Sequence, residues 1–120
     1  MEIQEKYWIA AVIDSEGTLS INKWGSPQLK VVNTNMDFLV RTKTIIGGKI
    51  FPSYNKPNPK HKPAYKVIVS RKDEIQKILS ELQDILIIKK RRAKVMLLLL
   101  NKEAKVRYSL WKFFLERGAK

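Results

Sequence analysis

The chain has 120 residues, 44% of them hydrophobic and none of them cysteine, so it can bury one core but has no material for disulfides or thiolate metal sites. Twenty-four Lys and Arg against eleven Asp and Glu leave a formal net charge of +13, far more than solubility requires, which points to a polyanionic partner. The acidic start Met1-Glu2-Ile3-Gln4-Glu5 does not read as a signal peptide, and the longest apolar run, Val95 to Leu100, is too short to span a bilayer, so no membrane partner is expected.

Tyr7-Trp8-Ile9-Ala10-Ala11-Val12-Ile13-Asp14-Ser15-Glu16-Gly17 reads as a short helix, apolar almost all the way round, with Gly17 expected to take a left-handed closing turn. Its last turn carries Asp14 and Glu16, at the end where the partial negative charge of a helix repels acids. Two readings fit: an ordinary buried helix with a polar exit, or an oxygen-rich seat for a hard divalent cation. Thr18 to Lys23 alternates with the strand period of two, Trp24-Gly25-Ser26-Pro27 is turn chemistry, and Gln28 to Val32 resumes as a second strand. Leu19, Ile21, Leu29 and Val31 are expected to face the core, with Thr18, Ser20, Asn22, Gln28 and Lys30 outward.

Asn33-Thr34-Asn35 offers caps for a helix running through Met36, Phe38, Leu39, Thr42, Ile45 and Ile46 and ended by Gly47-Gly48. Lys49 to Ser53 makes a third strand. Asn55 to Pro63, with three prolines, three lysines and a lone His61, is a basic loop in which the histidine reads as a neighbour of phosphates rather than a metal ligand. Tyr65 to Ser70 is a fourth strand, and Arg71 to Ile88 an amphipathic helix with Ile75, Ile78, Leu79, Leu82 and Leu86 on its buried stripe. Lys89-Lys90-Arg91-Arg92 interrupts the apolar pattern before two more helices, Ala93 to Lys102 and Val106 to Arg117. Leu110, Trp111, Phe113 and Phe114 are expected to lie on the core. The order is an α+β layout, with helices on one face of a four-stranded antiparallel sheet. From Gly17 to Lys72 a single acid, Asp37, stands against eleven basic residues, so the open sheet face is basic and suited to a DNA groove.

Ile9 to Gly17 resembles the nine-residue signature of the LAGLIDADG homing endonucleases, with Ala11 in place of the first glycine and Glu16 as the final acid. Gly47-Gly48-Lys49-Ile50, and Lys89 followed by further basic residues, are similar to later features of that family. The resemblance implies an αββαββα fold with extra C-terminal helices, one domain over residues 1–120 and, since the motif occurs once, a symmetric homodimer. Helical spacing agrees, because Gln4, Tyr7, Trp8, Ala11 and Ser15 share a face whose small residues let two helix backbones approach. Tyr7, Trp8, Ala11 and Ser15 are the expected interface, and an unpaired chain is expected to leave Tyr7 and Trp8 exposed.

The resemblance also implies an activity: an intron-encoded, site-specific endodeoxyribonuclease that binds a long pseudo-palindromic duplex and hydrolyses both strands with Mg²⁺, a site Mn²⁺ or Ca²⁺ can also occupy. It assigns Glu16 as the metal carboxylate, the Ser15 carbonyl as a second ligand, Lys89 as the active-site lysine and Asn33 as an organiser of active-site water. From the residues alone, Lys89 reads equally as a phosphate contact, Asn33 as a helix cap, and Asp14 as a cap or a support for the ligands. Ser20, Asn22, Gln28, Lys30, Lys49, Ser53 and Lys66 are the groove-reading candidates, with Phe51 for a thymine methyl; Lys23, Asn55, Lys56, Lys60 and Lys62 are expected on phosphates. Two alternatives share the fold: an RNA maturase that assists intron splicing, with RNA as partner, and a non-catalytic DNA-binding regulator. An intracellular setting is expected, either the archaeal cytoplasm or an organelle.

Overall fold

The computed structural model describes residues 1–53, 60 and 62–118; the expectations for Asn55, Lys56 and His61 lie outside them. The elements run α1 (Ile3–Glu16), β1 (Gly17–Ile21), β2 (Pro27–Asn33), α2 (Met36–Ile46), β3 (Lys49–Pro52), β4 (Tyr65–Val69), α3 (Lys72–Leu82), α4 (Lys90–Leu99) and α5 (Ala104–Glu116). The strands form one antiparallel sheet in the order β1-β2-β4-β3.

Register follows from the alternation. Leu19 lies opposite Leu29 and Leu29 opposite Val69, while Val31 lies opposite Val67, so one face of the sheet is a continuous aliphatic layer, fully buried. Ile9, Val12 and Ile13 of α1, Leu39 of α2 and Ile75, Leu79 and Leu82 of α3 close over that layer to form the core. No helix among the described residues is long and apolar enough to cross a membrane.

Four local features depart from the sequence expectation. Gly17 has φ −85° and ψ 153°, extended rather than left-handed. It is glycine for space: a Cβ there would sit 2.7 Å from the Ile13 carbonyl oxygen. The left-handed glycines are Gly47 and Gly48, at φ 82° and 85°, and a Cβ on Gly48 would run into the Ile68 carbonyl. The cap of α2 is Asn35, whose side chain accepts from the Phe38 amide at 3.0 Å; Asn33 instead accepts from the Asn35 amide at 2.8 Å and shapes the turn before it. The third helix ends at Leu82 rather than Ile88; the chain continues through turns in which the Ile85 and Leu86 amides share the Leu82 carbonyl, and the amides of Ile87, Ile88 and Lys89 are then held by Asp14.

The fourth departure is in α5. Trp111 is buried and Phe114 half-buried, but Leu110 and Phe113 stay exposed. Trp111 points into the core, with Phe114 at the edge of the buried side; Leu110 and Phe113 lie further round the helix with Val106, beyond the arc that a single surface helix can turn to the core.

Candidate active centre and nucleic-acid interface

The C-terminal turn of α1 is joined to the start of α4 by one side chain. The Asp14 carboxylate accepts three backbone amides, from Ile87 at 2.9 Å, Ile88 at 3.1 Å and Lys89 at 3.0 Å. The return connection is equally direct, since the Lys89 ammonium donates to the Asp14 carbonyl oxygen at 3.0 Å. This resolves the charge puzzle for one of the two acids. No basic residue lies in the last turn of α1 itself, and Lys89 supplies from a distant segment the cation that a helix C-terminus favours.

Glu16 is different. It is exposed, closes α1, and makes no hydrogen bond or ion pair with another described residue. The Ser15 carbonyl beside it has no helical partner, because the residue four places on, Leu19, belongs to β1. The Ser15 hydroxyl points back along α1 and donates to the Ala11 carbonyl at 2.8 Å. A carboxylate without a partner among the described residues, the Ser15 carbonyl and a fixed ammonium therefore gather at one helix end. Among the described residues no three His, Cys, Asp or Glu side chains group to hold a metal ion. Asn33 ends β2, with its side-chain oxygen accepting the Asn35 amide and its amide hydrogens not used in that bond.

The outward face of the sheet starts from that helix end. Its cross-strand rows are Thr18–Lys30–Ile68–Lys49, Ser20–Gln28 and Val32–Lys66–Phe51, a surface with three lysines and no acid. Asn22 lies beyond β1, where its side-chain oxygen accepts the amides of Trp24 and Ser26, so its amide hydrogens alone can face outward. Ser53 follows β3, half-buried, its amide on the Ala64 carbonyl at 2.9 Å. Lys60 and Lys62 are exposed, and the Lys23 ammonium lies over the Trp24 ring. Sequence reasoning passed over Ile68 and Val32 on this face; the signal was that β2 and β4 are apolar at both parities.

The exposed side of α1 forms the wall of an apolar groove in which Tyr7, Ala11 and Ser15 meet Ile87 and Ile88. Tyr7 is 60% exposed, Ile87 83% and Ile88 63%. Trp8 does not share that exposure. Its ring is tilted against Phe38 at 5.5 Å between centroids, with the Arg41 guanidinium 5.0 Å from it. Periodicity places the two isoleucines on a helix, yet they stand off the stripe that ends in Leu86, which marks them for another surface.

No protein-family model and no curated protein matches the sequence. Solved structures do match. The homing endonuclease I-CvuI, in complex with DNA in the presence of Mg, superposes with a TM-score of 0.68 at 20% identity, over 87% of this chain and 70% of that one. The archaeal intron-encoded homing endonuclease I-Vdi141I, complexed with DNA, gives 0.67 at 23% identity, over 84% and 69%. The homing endonuclease I-TnaI gives 0.57 at 18% identity, over 93% and 96%. The chain thus has the α+β fold of the homing endonucleases, with a four-stranded antiparallel sheet and five helices.

Proposed function

We propose that the chain is a single-domain, site-specific DNA endonuclease of the single-motif LAGLIDADG type, which works as a homodimer. Each protomer contributes one Glu16 to hydrolysis of one strand. The observation that carries this reading is the Glu16 carboxylate at the end of α1, without a partner among the described residues, beside a fixed Lys89 and at the margin of an acid-free, lysine-bearing sheet face.

The donor set fits a hard divalent cation. Glu16 and the Ser15 carbonyl are oxygen donors without partners among the described residues, and I-CvuI, of the same fold, has structures with Mg and with Ca. Bound Mg²⁺ supplies charge neutralisation at the scissile phosphate and an activated water. The chain's own residues do the positioning. Asp14 locks the Ile87–Lys89 backbone, Lys89 then holds its ammonium against the helix end, and Lys30, Lys49 and Lys66 neutralise phosphates or donate to base edges along the groove. Gln28, Ser20 and the Asn22 amide read neighbouring edges, Phe51 touches a thymine methyl, and Lys23, Lys60 and Lys62 hold the backbone.

The groove along α1 is where the second copy sits. Tyr7, Ala11 and Ser15 meet their two-fold mates, Ile87 and Ile88 extend the contact, and Trp8 lies at its margin. Pairing there brings the two Glu16 residues together, one for each strand.

Supercoiled plasmids carrying a randomised insert test the activity. Incubation with Mg²⁺ is expected to linearise a subset of clones, and EDTA to leave every clone intact. Binding without cutting under both conditions contradicts the nuclease and favours the regulator; preference for structured intron RNA over duplex favours the maturase.

A further inference from the structure

We propose that Trp24, at the tip of the β1–β2 hairpin, is a wedge that stacks into a base step at the flank of the bound duplex while Lys23 engages the adjoining phosphate. The inference rests on the DNA-binding reading above and adds to it a contact outside the sheet face.

What points to it is a large exposed aromatic on a rigid mount. A turn that only reverses the chain has no need of an indole, yet Trp24 is 70% exposed. The tip that carries it is tied down from several sides. The Asn22 side-chain oxygen accepts the Trp24 amide at 3.0 Å and the Ser26 amide at 2.9 Å, and the Gly25 amide donates to the Asn22 carbonyl at 2.8 Å. Gly25, at φ 82°, is buried against Ala104, where a Cβ would collide with the α5 backbone. Arg107 of α5 donates to the Gly25 carbonyl at 2.7 Å and to the Lys102 carbonyl at 2.9 Å. The helix therefore braces the turn from behind through Gly25 and leaves Trp24 projecting away from it. The backbone that carries Trp24 then has little ordering entropy left to lose on binding, which favours the affinity a side chain mounted on it can contribute.

Chemistry and position select the partner. The Lys23 ammonium lies 4.6 Å from the Trp24 ring centroid, over one of its two faces, so the other face is available for stacking. An indole and a cation side by side suit a base and its phosphate together. Strand β1 begins at Gly17, next to Glu16, and ends at Ile21, just before the tip. Trp24 lies eight positions beyond Glu16, a reach of roughly 20–25 Å for extended chain closing into a turn. At about 3.4 Å per base pair, the wedge acts roughly six to eight base pairs from the cut. Pyrimidine–purine steps unstack most readily, so Trp24 selects such a step at a position no sheet residue reads.

Duplexes enriched from a randomised pool by binding to the full chain, with 2-aminopurine walked through each flank, test the wedge. Trp111 is buried and Trp8 is clamped by Phe38 and Arg41, so iodide quenching reports chiefly on Trp24. In the complex Trp24 is expected to lose its accessibility to iodide, and 2-aminopurine to brighten only at roughly six to eight base pairs from the centre. Trp24→Ala should weaken binding about tenfold and abolish that brightening, while Trp24→Phe keeps most of both. Full iodide access in the complex, unchanged affinity of Trp24→Ala, or lost affinity with no 2-aminopurine signal overturns the wedge and leaves DNA binding standing. If the wild-type chain enriches no duplex at all, the endonuclease reading fails and takes the wedge with it.

Discussion

Glu16→Gln is expected to lower cleavage by at least about a thousandfold, or ~4 kcal/mol on the barrier, while leaving duplex binding close to wild type. The substitution keeps the shape and removes the charge. Because Glu16 makes no bond to another described residue, nothing in the fold depends on its carboxylate, and the unfolding temperature should not move. The binding face is equally untouched, since its lysines lie on β2, β3 and β4. The variant also reads out the assembly. Mixed dimers of wild-type and Glu16→Gln protomers should nick a supercoiled target rather than linearise it, because each strand is served by one Glu16. Linear product from mixed dimers at the wild-type rate contradicts that division of labour, and retained cleavage by the pure variant removes Glu16 from the chemistry.

Asp14→Ala is expected to act through structure instead. Three backbone amides lose a charged acceptor, at a cost of about 2–3 kcal/mol once partial exposure is discounted. For a domain of this size that lowers the melting temperature by roughly 6–12 °C. Cleavage should fall as well, because the Lys89 backbone is then no longer held beside α1. Asp14→Asn separates the two effects. Its single carbonyl oxygen can still serve Ile88 and Lys89, whereas its amide hydrogens oppose the Ile87 amide, so stability should be only partly lost. A calorimetric trace for Asp14→Ala that matches wild type would show that the three bonds do not hold α1 to the start of α4.

The helices and strands were legible because their periods are clean. Leu19, Ile21, Leu29 and Val31 alternate without exception, and the aliphatic stripe of α3 repeats at helical spacing, so burial followed directly. What lay hidden were bonds between residues far apart in the chain. Asp14 and Ile87 are 73 positions apart, and nothing local marks one as the acceptor for the other. For that reason periodicity alone carries α3 through to Ile88, past its end at Leu82, and gives no sign that Ile87 and Ile88 join the groove on α1. The same holds for Arg107, whose bond to Gly25 ties α5 to the hairpin tip. Gly17 misled for another reason: glycine at a helix end suggests φ > 0, but here the constraint is the closeness of the Ile13 carbonyl. At the candidate centre, Glu16 and Lys89 could be singled out by residue type and motif. That Asp14 is consumed by structure, while Glu16 has no partner among the described residues, depends on where the distant Ile87–Lys89 segment lies.

Anomalous scattering from crystals of the wild-type chain grown with its enriched duplex and Mn²⁺ tests the central claim most directly. The account predicts a peak bonded to Glu16 and to a phosphate oxygen at the dimer axis, with Lys89 alongside. A duplex seated on the sheet with the Glu16 carboxylate turned away, and no metal between it and a phosphate, contradicts it.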